Sequence, residues 1–527
     1  MLRRTSCLLA MVFIGHPFLS AQQTPAPEPA ETLHVQSQLV VLDTVVTDRS
    51  GKIVRGLTKD DFSVYENGIQ QKIRNFTSIQ EHPPVPAAPV TDRNGHQQWG
   101  NSALTMIVVD ELDTPFEELA YSRDCVRNYL KAQPEQTLTP TILLWLNDYG
   151  IRALTDFTRD RQTLLTALQK QPPSLPGKLM RGARVEQIAA AFAALQQASL
   201  FSRGAPGKKE IIWVGRSFPS VDPIGLTDYD RTLLTKAVRS TANLLLASRV
   251  TLYVVDPTIT GSARDDDMPQ DVDTLQLQTA STVKDPFESS FNISLFVNET
   301  GGKYFRGRND LDRLIADSQE RGLEYYTLTY VPSTPIQDGS YRQIVVKLRN
   351  PNLIAQTKKG YYSEAPSISA PAKLEASLDE KDLRFDLYEA AVTGMQYTGL
   401  GLHVEGCTRD ATGTASCVVS VDTGSLTFTP YSKSEQRTTL VAVMAALNAK
   451  GKIVNDQVAR VTIAIPETQM AQVAHGFTKL RVHAVVPPTA KSVRVVVRDA
   501  GGRIGTADLP ANVVQQLTVA SIVKQPR

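Results

Sequence analysis

The residues best placed to do chemistry are oxygen-bearing side chains that directly follow one apolar run, 104–109. Such a run is typical of a strand buried on both faces, and Pro115 suits the first turn of the amphipathic helix that follows. Open α/β sheets bind ligands at this kind of strand-to-helix junction. We therefore expect these side chains to lie at the end of a central strand and to face solvent. They are Asp110, Glu111, Asp113 and Thr114.

Alternating strands and helices surround this junction. Strand-like runs at 141–146, 211–214 and 250–255 are separated by segments whose apolar residues recur at helical spacing. This alternation is typical of a doubly wound parallel sheet. We predict a Rossmann-like α/β domain over residues 103–363. Its late strand, 341–349, either packs with an N-terminal β unit or extends the main sheet.

Short motifs in a constant order add a family resemblance over roughly 35–363. Each motif is weak alone, and the ordered set carries the resemblance. The motifs are Thr47–Gly51, Leu57–Phe62, Val64–Gly68, Asp156–Asp160, Tyr253–Pro257, Thr300–Gly302 before Tyr304–Phe305, Tyr326–Pro332, Asp338–Gly339 and Lys359–Tyr362. The set resembles the von Willebrand factor A-related proteins of acidobacteria. This resemblance implies a von Willebrand factor A-type fold with its functional face at the carboxyl ends of the strands.

The same resemblance implies a divalent-metal site from which parts are missing. Mg²⁺ takes oxygen ligands, and Asp110 and Thr114 align with ligands of the family's first metal loop. Leu112 stands where that loop has a hydroxyl, and residues 215–217 (Gly-Arg-Ser) stand where an aspartate is expected. We therefore expect weak Mg²⁺ binding or none. Two alternatives are open: Asp110 caps the following helix, or Arg216 occupies the place of the ion and pairs with Asp110.

Outside the α/β domain the sequence predicts β structure and linkers. Turn signals and period-two alternation predict a small β unit at 35–80 and a sandwich-like all-β domain at 373–515. Within the second domain, 383–387 alternates like a strand, whereas the apolar run Leu440–Leu447 suits a strand or a helix. The predicted linkers and tail are 22–34, 81–102, 364–372 and 516–527.

Residues 1–21 have the pattern of an export signal. Two arginines precede a short apolar stretch, and Leu19-Ser20-Ala21 offers a small-residue cleavage site. We therefore expect a periplasmic or extracellular protein, and no later segment is long enough to span a membrane. In an oxidising compartment we also expect a disulfide between Cys407 and Cys417, which flank a turn-rich loop.

Composition and residue patterns narrow the classes of function. The formal net charge of +2 and the lack of a basic face argue against nucleic acid as the partner. Residues 101–330 contain no histidine, which excludes a Ser-His-Asp or Cys-His arrangement within that segment.

We predict a secreted, non-enzymatic protein-binding or adhesion module that acts through the strand-end face, with no cofactor other than a possible Mg²⁺. The alternatives are a structural subunit of an envelope or extracellular assembly and, less favoured, a hydrolase. The predicted partner-binding residues are Asp110, Glu111, Asp113, Thr114, Arg216 and Ser217, of which Asp110 and Thr114 are the candidate metal ligands.

Overall fold

A parallel sheet of buried strands forms the centre of the protein. In the computed structural model, Leu104–Asp110 is buried along its whole length, as expected for a strand covered on both faces. The described residues are 39–91, 97–112, 114–147, 150–171, 184–216, 226–258, 285–286, 293–306, 308–334, 338–363, 380–432, 434–473 and 476–516. The predicted signal peptide, the predicted linkers at 22–34 and 364–372, Asp113 and Ser217 lie outside these ranges.

Strands are numbered in chain order. Those of the first part are β1 Val40–Thr47, β2 Phe62–Glu66, β3 Ile69–Gln71, β4 Ile73–Thr77, β5 Val90–Thr91, β6 Gln97–Gln98, β7 Leu104–Asp110, β8 Gln136–Asn147, β9 Gly150–Ala153, β10 Thr158–Asp160, β11 Lys209–Val214, β12 Val250–Val255 and β13 Tyr304–Phe305. Those of the second part are β14 Tyr326–Tyr330, β15 Tyr341–Leu348, β16 Ile354–Gln356, β17 Gly360–Tyr362, β18 Leu402–Arg409, β19 Thr414–Asp422, β20 Thr429–Ser432, β21 Glu435–Leu447, β22 Ile453–Pro466, β23 Phe477–Val485, β24 Ser492–Arg498 and β25 Ile504–Pro510.

Helices are numbered in the same way. They are α1 Phe116–Ala132, α2 Arg161–Lys170, α3 Arg184–Ser202, α4 Asp228–Ala247, α5 Ile293–Glu299, α6 Leu311–Leu323, α7 Glu380–Val392, α8 Met470–Val473 and α9 Ala511–Gln515. Side-chain caps begin two of them: Asp160 accepts hydrogen bonds from the backbone amides of Gln162 and Thr163 at α2, and Thr227 accepts one from Asp230 at α4. Among the described residues, no helix combines the length and apolar character needed to cross a membrane.

The central sheet has the order β10-β8-β7-β11-β12-β13, with β9 also paired to β8. The strands from β8 to β13 in this order run parallel, and β9 and β10 are antiparallel to β8. Apolar residues of α3, α4 and α5 pack on one face, and those of α1, α2 and α6 pack on the other. The predicted mixed α/β architecture is confirmed, and the strand that ends at Asp110 lies inside the sheet.

The N-terminal β unit is completed by the strands that follow the α/β layer. β1 pairs with β14 and β16, and β14 also pairs with β4. β15 pairs antiparallel with β2, which answers where 341–349 belongs. Strands from both sides of the predicted linker 81–102 therefore share two sheets. Adjacent strands need not be close in sequence, because antiparallel pairing depends on register and burial.

The C-terminal part contains two antiparallel sheets, β18-β19-β23 and β20-β21-β24-β25, with β22 paired to β21. Alternate residues of β21 belong to different clusters: Leu440, Ala442 and Met444 pack between the two sheets, whereas Val441 and Val443 pack toward α3 and α7. Burial on both faces explains why this strand is apolar throughout.

One predicted strand in this region is wrong. Residues 383–387 belong to helix α7, on which Leu387, Ala390 and Ala391 are buried against the β domain. The five-residue alternation is too short to distinguish a strand from a helix, whereas the longer spacing of i, i+3 and i+4 is helical.

Candidate functional site

Asp110 ends β7 with its carboxylate turned inward. The residue is only 1% exposed, Oδ1 accepts a hydrogen bond from the backbone N–H of Leu112 at 2.9 Å, and Oδ2 accepts one from Nε1 of Trp213 at 3.1 Å. The expectation that this carboxylate faces solvent is therefore wrong. The capping alternative is also not borne out: the N-cap position of α1 is Pro115, and the backbone amide bound by Asp110, that of Leu112, precedes the helix.

Thr114 joins the loop after β7 to the loop after β11. It is buried, and its Oγ1 accepts a hydrogen bond from the backbone N–H of Arg216 at 3.0 Å. Between them, Gly215 has φ +153° and lies against both residues of the first loop. A Cβ at this position would be 2.6 Å from Cβ of Asp110 and 2.7 Å from Oγ1 of Thr114. Glycine is therefore required for this contact between loops.

Arg216 carries its charge toward helix α1. Its guanidinium donates through Nε and Nη2 to both carboxylate oxygens of Glu118, in the first turn of that helix. The two side chains are 22% and 21% exposed. A carboxylate in the first helical turn also interacts favourably with the helix dipole. Sequence reasoning missed Glu118, although its position one turn into the predicted helix was a usable signal.

Glu111 has a different neighbour. Its Oε2 accepts a hydrogen bond from Nε1 of Trp145 on β8 at 2.7 Å, and its side chain is partly exposed. Glu111 and Asp110 thus diverge, one toward β8 and one toward β11. Adjacent strand residues point to opposite faces of a sheet, so these two acids do not converge on one ligand.

A second strand end repeats the arrangement around Asp110. Asp256 follows β12 and is 3% exposed; Oδ1 accepts from the backbone N–H of Thr258 at 2.9 Å, and Oδ2 accepts from the hydroxyl of Tyr304 at 2.6 Å. Nε of Arg306 lies 3.7 Å from the same Oδ2. Both aspartates therefore bind an amide two residues ahead and an aromatic donor from a neighbouring strand. This repeat was not predicted.

The residues at the strand ends do not fit a magnesium site. Both oxygens of Asp110 already accept hydrogen bonds from protein donors, and Leu112 supplies no side-chain oxygen. Arg216, whose guanidinium pairs with Glu118, supplies no oxygen ligand either. In the part of the chain that the structure describes, no group of three His, Cys, Asp or Glu residues could hold a metal ion.

Two further features lie away from these residues. A cleft of about 760 Å³ is lined by residues of β9, β10, the loop between them and α2, among them Arg152, Asp156 and Lys170, and by none of the predicted site residues. In the C-terminal part, Cys407 and Cys417 form a disulfide between β18 and β19.

Comparisons with known proteins identify no family. No family model and no curated protein matches the chain. Proximal thread matrix protein 1 from the mussel byssus is similar at 13% identity and TM-score 0.21, over 30% of this chain and 38% of that chain, so less than half of the mussel protein is matched. The manganese-loaded Plasmodium vivax TRAP protein gives 10% identity and TM-score 0.23, over 50% of this chain and 96% of that one. The SpRpn10 VWA domain gives 16% identity and TM-score 0.16, over 34% and 96%. Similarities this weak establish no function.

Proposed function

We propose that the protein is a secreted, non-enzymatic binding module of the von Willebrand factor A-related type, whose strand-end face contacts a protein partner without a metal ion. One observation carries this proposal. The carboxylate of Asp110 is enclosed by protein donors, whereas the ion pair of Arg216 and Glu118 beside it is partly exposed.

The partner would therefore meet a preorganised polar surface. The contact of Gly215 with Asp110 and the hydrogen bond to Thr114 hold the two loops together before any partner arrives. A rigid surface loses little conformational entropy on binding. Arg216 and Glu118 fix each other through a bidentate contact and offer both signs of charge to a partner in a set orientation. Such charge complementarity favours specificity over raw affinity.

The same hydrogen bonds support metal independence. A cation that took the place of the indole N–H of Trp213 or the amide of Leu112 at Asp110 would leave a buried donor without a partner. Such a donor costs about 1–3 kcal/mol. The non-enzymatic assignment is supported by the same enclosure, because a carboxylate closed off from solvent cannot reach a substrate proton.

Secretion is supported by the disulfide between Cys407 and Cys417, since such bonds persist in oxidising compartments. It also rests on the signal-like pattern of residues 1–21. Export is therefore part of the proposal, and cell fractionation with an antibody against the protein tests it directly.

Calorimetric titration with MgCl₂ and MnCl₂ tests the metal-independent part. We expect no saturable heat from the wild-type protein. Saturable heat that disappears in Asp110→Asn would show that the aspartate binds a cation and would overturn metal independence.

Site-specific photocross-linking in the producing cells tests the binding face. A photoreactive phenylalanine analogue at position 116, an exposed residue two positions before Glu118, should yield a cross-linked adduct that survives EDTA. The same probe at the exposed residue Val345, on β15, serves as the matched control. Equal adducts from both positions would refute the strand-end face as the binding surface.

A further inference from the structure

Strand β22 is a long strand at the edge of its sheet, and β23 of the other sheet lies close to part of it. β22 pairs with β21 from Ile453 to Pro466, and no other described strand pairs with it. Most of its residues are exposed, including Val454 at 37%, Val458 at 38% and Val461 at 39%. An exposed edge of β-branched residues is a template for adding another strand.

The opposite edge of the same sheet is closed. Beyond β25, the amide of Thr506 donates to the carbonyl of Tyr397, and the amide of Leu400 donates to the carbonyl of Ile504. The segment around residue 398 thus occupies that edge. On β22, by contrast, no described strand forms a ladder with the outer side.

Pro466 shows which N–H and C=O groups of β22 point toward β21 and which point toward the outer edge. Pro466 lies opposite Glu435 in the ladder and has no N–H to donate, so it occupies a position that does not bond to β21. Because bonded and non-bonded positions alternate in an antiparallel pair, the even-numbered residues of the regular ladder from 456 share this position. Thr439 and Thr462 agree, since their hydroxyls lie 3.2 Å apart, as in a close non-bonded pair. The even residues therefore direct their N–H and C=O groups to the outer edge.

Two of these even-numbered residues are charged, and they are too far apart within β22 to pair with each other. Asp456 and Arg460 are on one face but four residues apart, which is about 13 Å along a strand. The hydroxyl of Tyr388 on α7 donates to Oδ2 of Asp456 and positions that carboxylate. Arg460 is exposed and forms no ion pair with any described residue.

We propose that β22 pairs with β22 of a second copy of this chain, antiparallel and about a two-fold axis at Val458. Only registers that pair even residues with even residues can form the new ladder. With Val458 opposite itself, Asp456 lies opposite Arg460 of the second copy, twice by symmetry, and Val454 lies opposite Thr462. Shifting so that residue 456 or residue 460 faces itself places like charges in contact. Charge complementarity therefore selects both the second copy and the register.

The inference is independent of the strand-end face, and its failure would leave the proposed binding function intact. It also gives a physical basis to the alternative role as a subunit of a larger assembly. The pairing is isologous, because each copy offers the same strand.

Sedimentation velocity of the full chain and charge variants tests the pairing. We expect the wild-type protein to sediment as a dimer. Arg460→Asp should raise the dimer dissociation constant roughly tenfold or more, because two cross-strand attractions become repulsions. The double variant Asp456→Arg with Arg460→Asp should restore much of the affinity. Arg74→Asp, an equal charge change at an exposed position of β4 in a different sheet, is the matched control and should leave the dimer unchanged.

Cysteine cross-linking tests the register. Oxidation of Val458→Cys should give a covalent dimer, because opposing Cα atoms in a bonded antiparallel pair are about 5.5 Å apart, within disulfide reach. Val454→Cys should not cross-link, because its counterpart in the second copy would lie about 27 Å away along the strand. A monomeric wild-type protein, or equal cross-linking at both positions, would overturn the proposal. Thermal melting of each variant verifies that the fold is retained.

Discussion

The carboxyl and amino ends of the parallel sheet treat charge in different ways. At the carboxyl end, Asp110 and Asp256 are enclosed by aromatic and amide donors, and the ion pair of Arg216 with Glu118 remains partly exposed. At the amino end, Lys208 and Glu210 form an ion pair in which both side chains are 1% exposed. Both ends therefore bury charged groups: the carboxyl end satisfies single carboxylates with neutral donors, whereas the amino end pairs buried charges of opposite sign.

The amino end is buried because strands of the N-terminal β unit cover it. Asp43 on β1 accepts hydrogen bonds from Nε and Nη2 of Arg249, just before β12, at 3.0 and 2.6 Å. Lys208 also donates to the carbonyl of Arg321 at 3.2 Å. Gly322 is required beside it, because a Cβ there would lie 2.0 Å from Oε2 of Glu210. The comparison shows that two ends of one sheet with similar polar residues are stabilised differently. The covered amino end uses a buried ion pair, whereas the carboxyl end uses hydrogen bonds and a partly exposed ion pair.

Breaking the buried pair should have the largest effect. Lys208→Met keeps the length of the side chain but leaves the carboxylate of Glu210 without its cation. Above pH 7, where Glu210 is ionised in the folded protein, we expect a loss of about 3–5 kcal/mol in the free energy of unfolding, since an uncompensated buried charge is costly. Urea denaturation measures this. Lys170→Met, at the exposed end of α2, is the control and should change stability by less than about 0.5 kcal/mol. Equal effects from the two variants would contradict the buried-pair interpretation.

The pH dependence of stability should show two opposite slopes from the amino end. Burial raises the pKa of Glu210 from 4.5 to about 7, so its contribution to stability is complete below the lower value and decreases as pH rises to the upper one. Burial lowers the pKa of Lys209 from 10.5 to about 7, so the unfolded chain binds more protons between these values and stability increases with pH there.

Substituting each group in turn separates its contribution to the pH dependence of stability. In urea titrations from acid to alkaline pH, Glu210→Gln should flatten the acid-side decrease, whose size is on the order of 3 kcal/mol. Lys209→Met should flatten the alkaline-side increase. Profiles for both variants that run parallel to the wild-type profile would show that neither group titrates differently in the folded protein.

At the carboxyl end, Asp110→Ala should have an intermediate effect. It leaves the indole N–H of Trp213 and the amide of Leu112 without their acceptor, which costs about 1–3 kcal/mol. Asp110→Asn retains one side-chain oxygen and should lose less. Thermal or urea unfolding of both variants checks this order. A stabilising effect of Asp110→Ala would mean that the carboxylate is strained, as expected of a ligand-binding group.

Arg216→Ala should have the smallest effect on stability. The ion pair is partly exposed, and such pairs contribute about 0–1 kcal/mol. The same variant should nevertheless weaken partner binding, so that stability and binding separate at this residue. A large loss of stability would show that Arg216 supports the loops and would weaken its assignment to the binding surface.

The central strand and the sandwiching helices were predictable because burial on both faces leaves a continuous apolar run and a helical stripe. The same signal did not reveal which strands β14 and β15 join. Tyr326–Tyr330 is buried throughout, and such a strand fits any covered sheet equally well. Its partner strands lie far away in sequence, and no local pattern encodes that pairing.

The candidate site was predictable in its position and not in its contacts. The strand end at Asp110 follows from the apolar run, but the inward turn of its carboxylate depends on Trp213, which is about a hundred residues away. Glu210 likewise gave no signal, since a Lys-Lys-Glu sequence at a strand start usually indicates solvent exposure. Long-range donors and covering layers decide both cases.

The pairing of β1 with β14 has a consequence for how the chain is made. Val40 lies opposite Tyr330, so the first strand leaves the ribosome long before its neighbour exists. At roughly 5–20 residues per second, the delay is on the order of tens of seconds. A β-branched segment that waits so long can pair with the wrong edge or with another nascent chain. We therefore expect the newborn polypeptide to depend on chaperone protection until its second half has been synthesised.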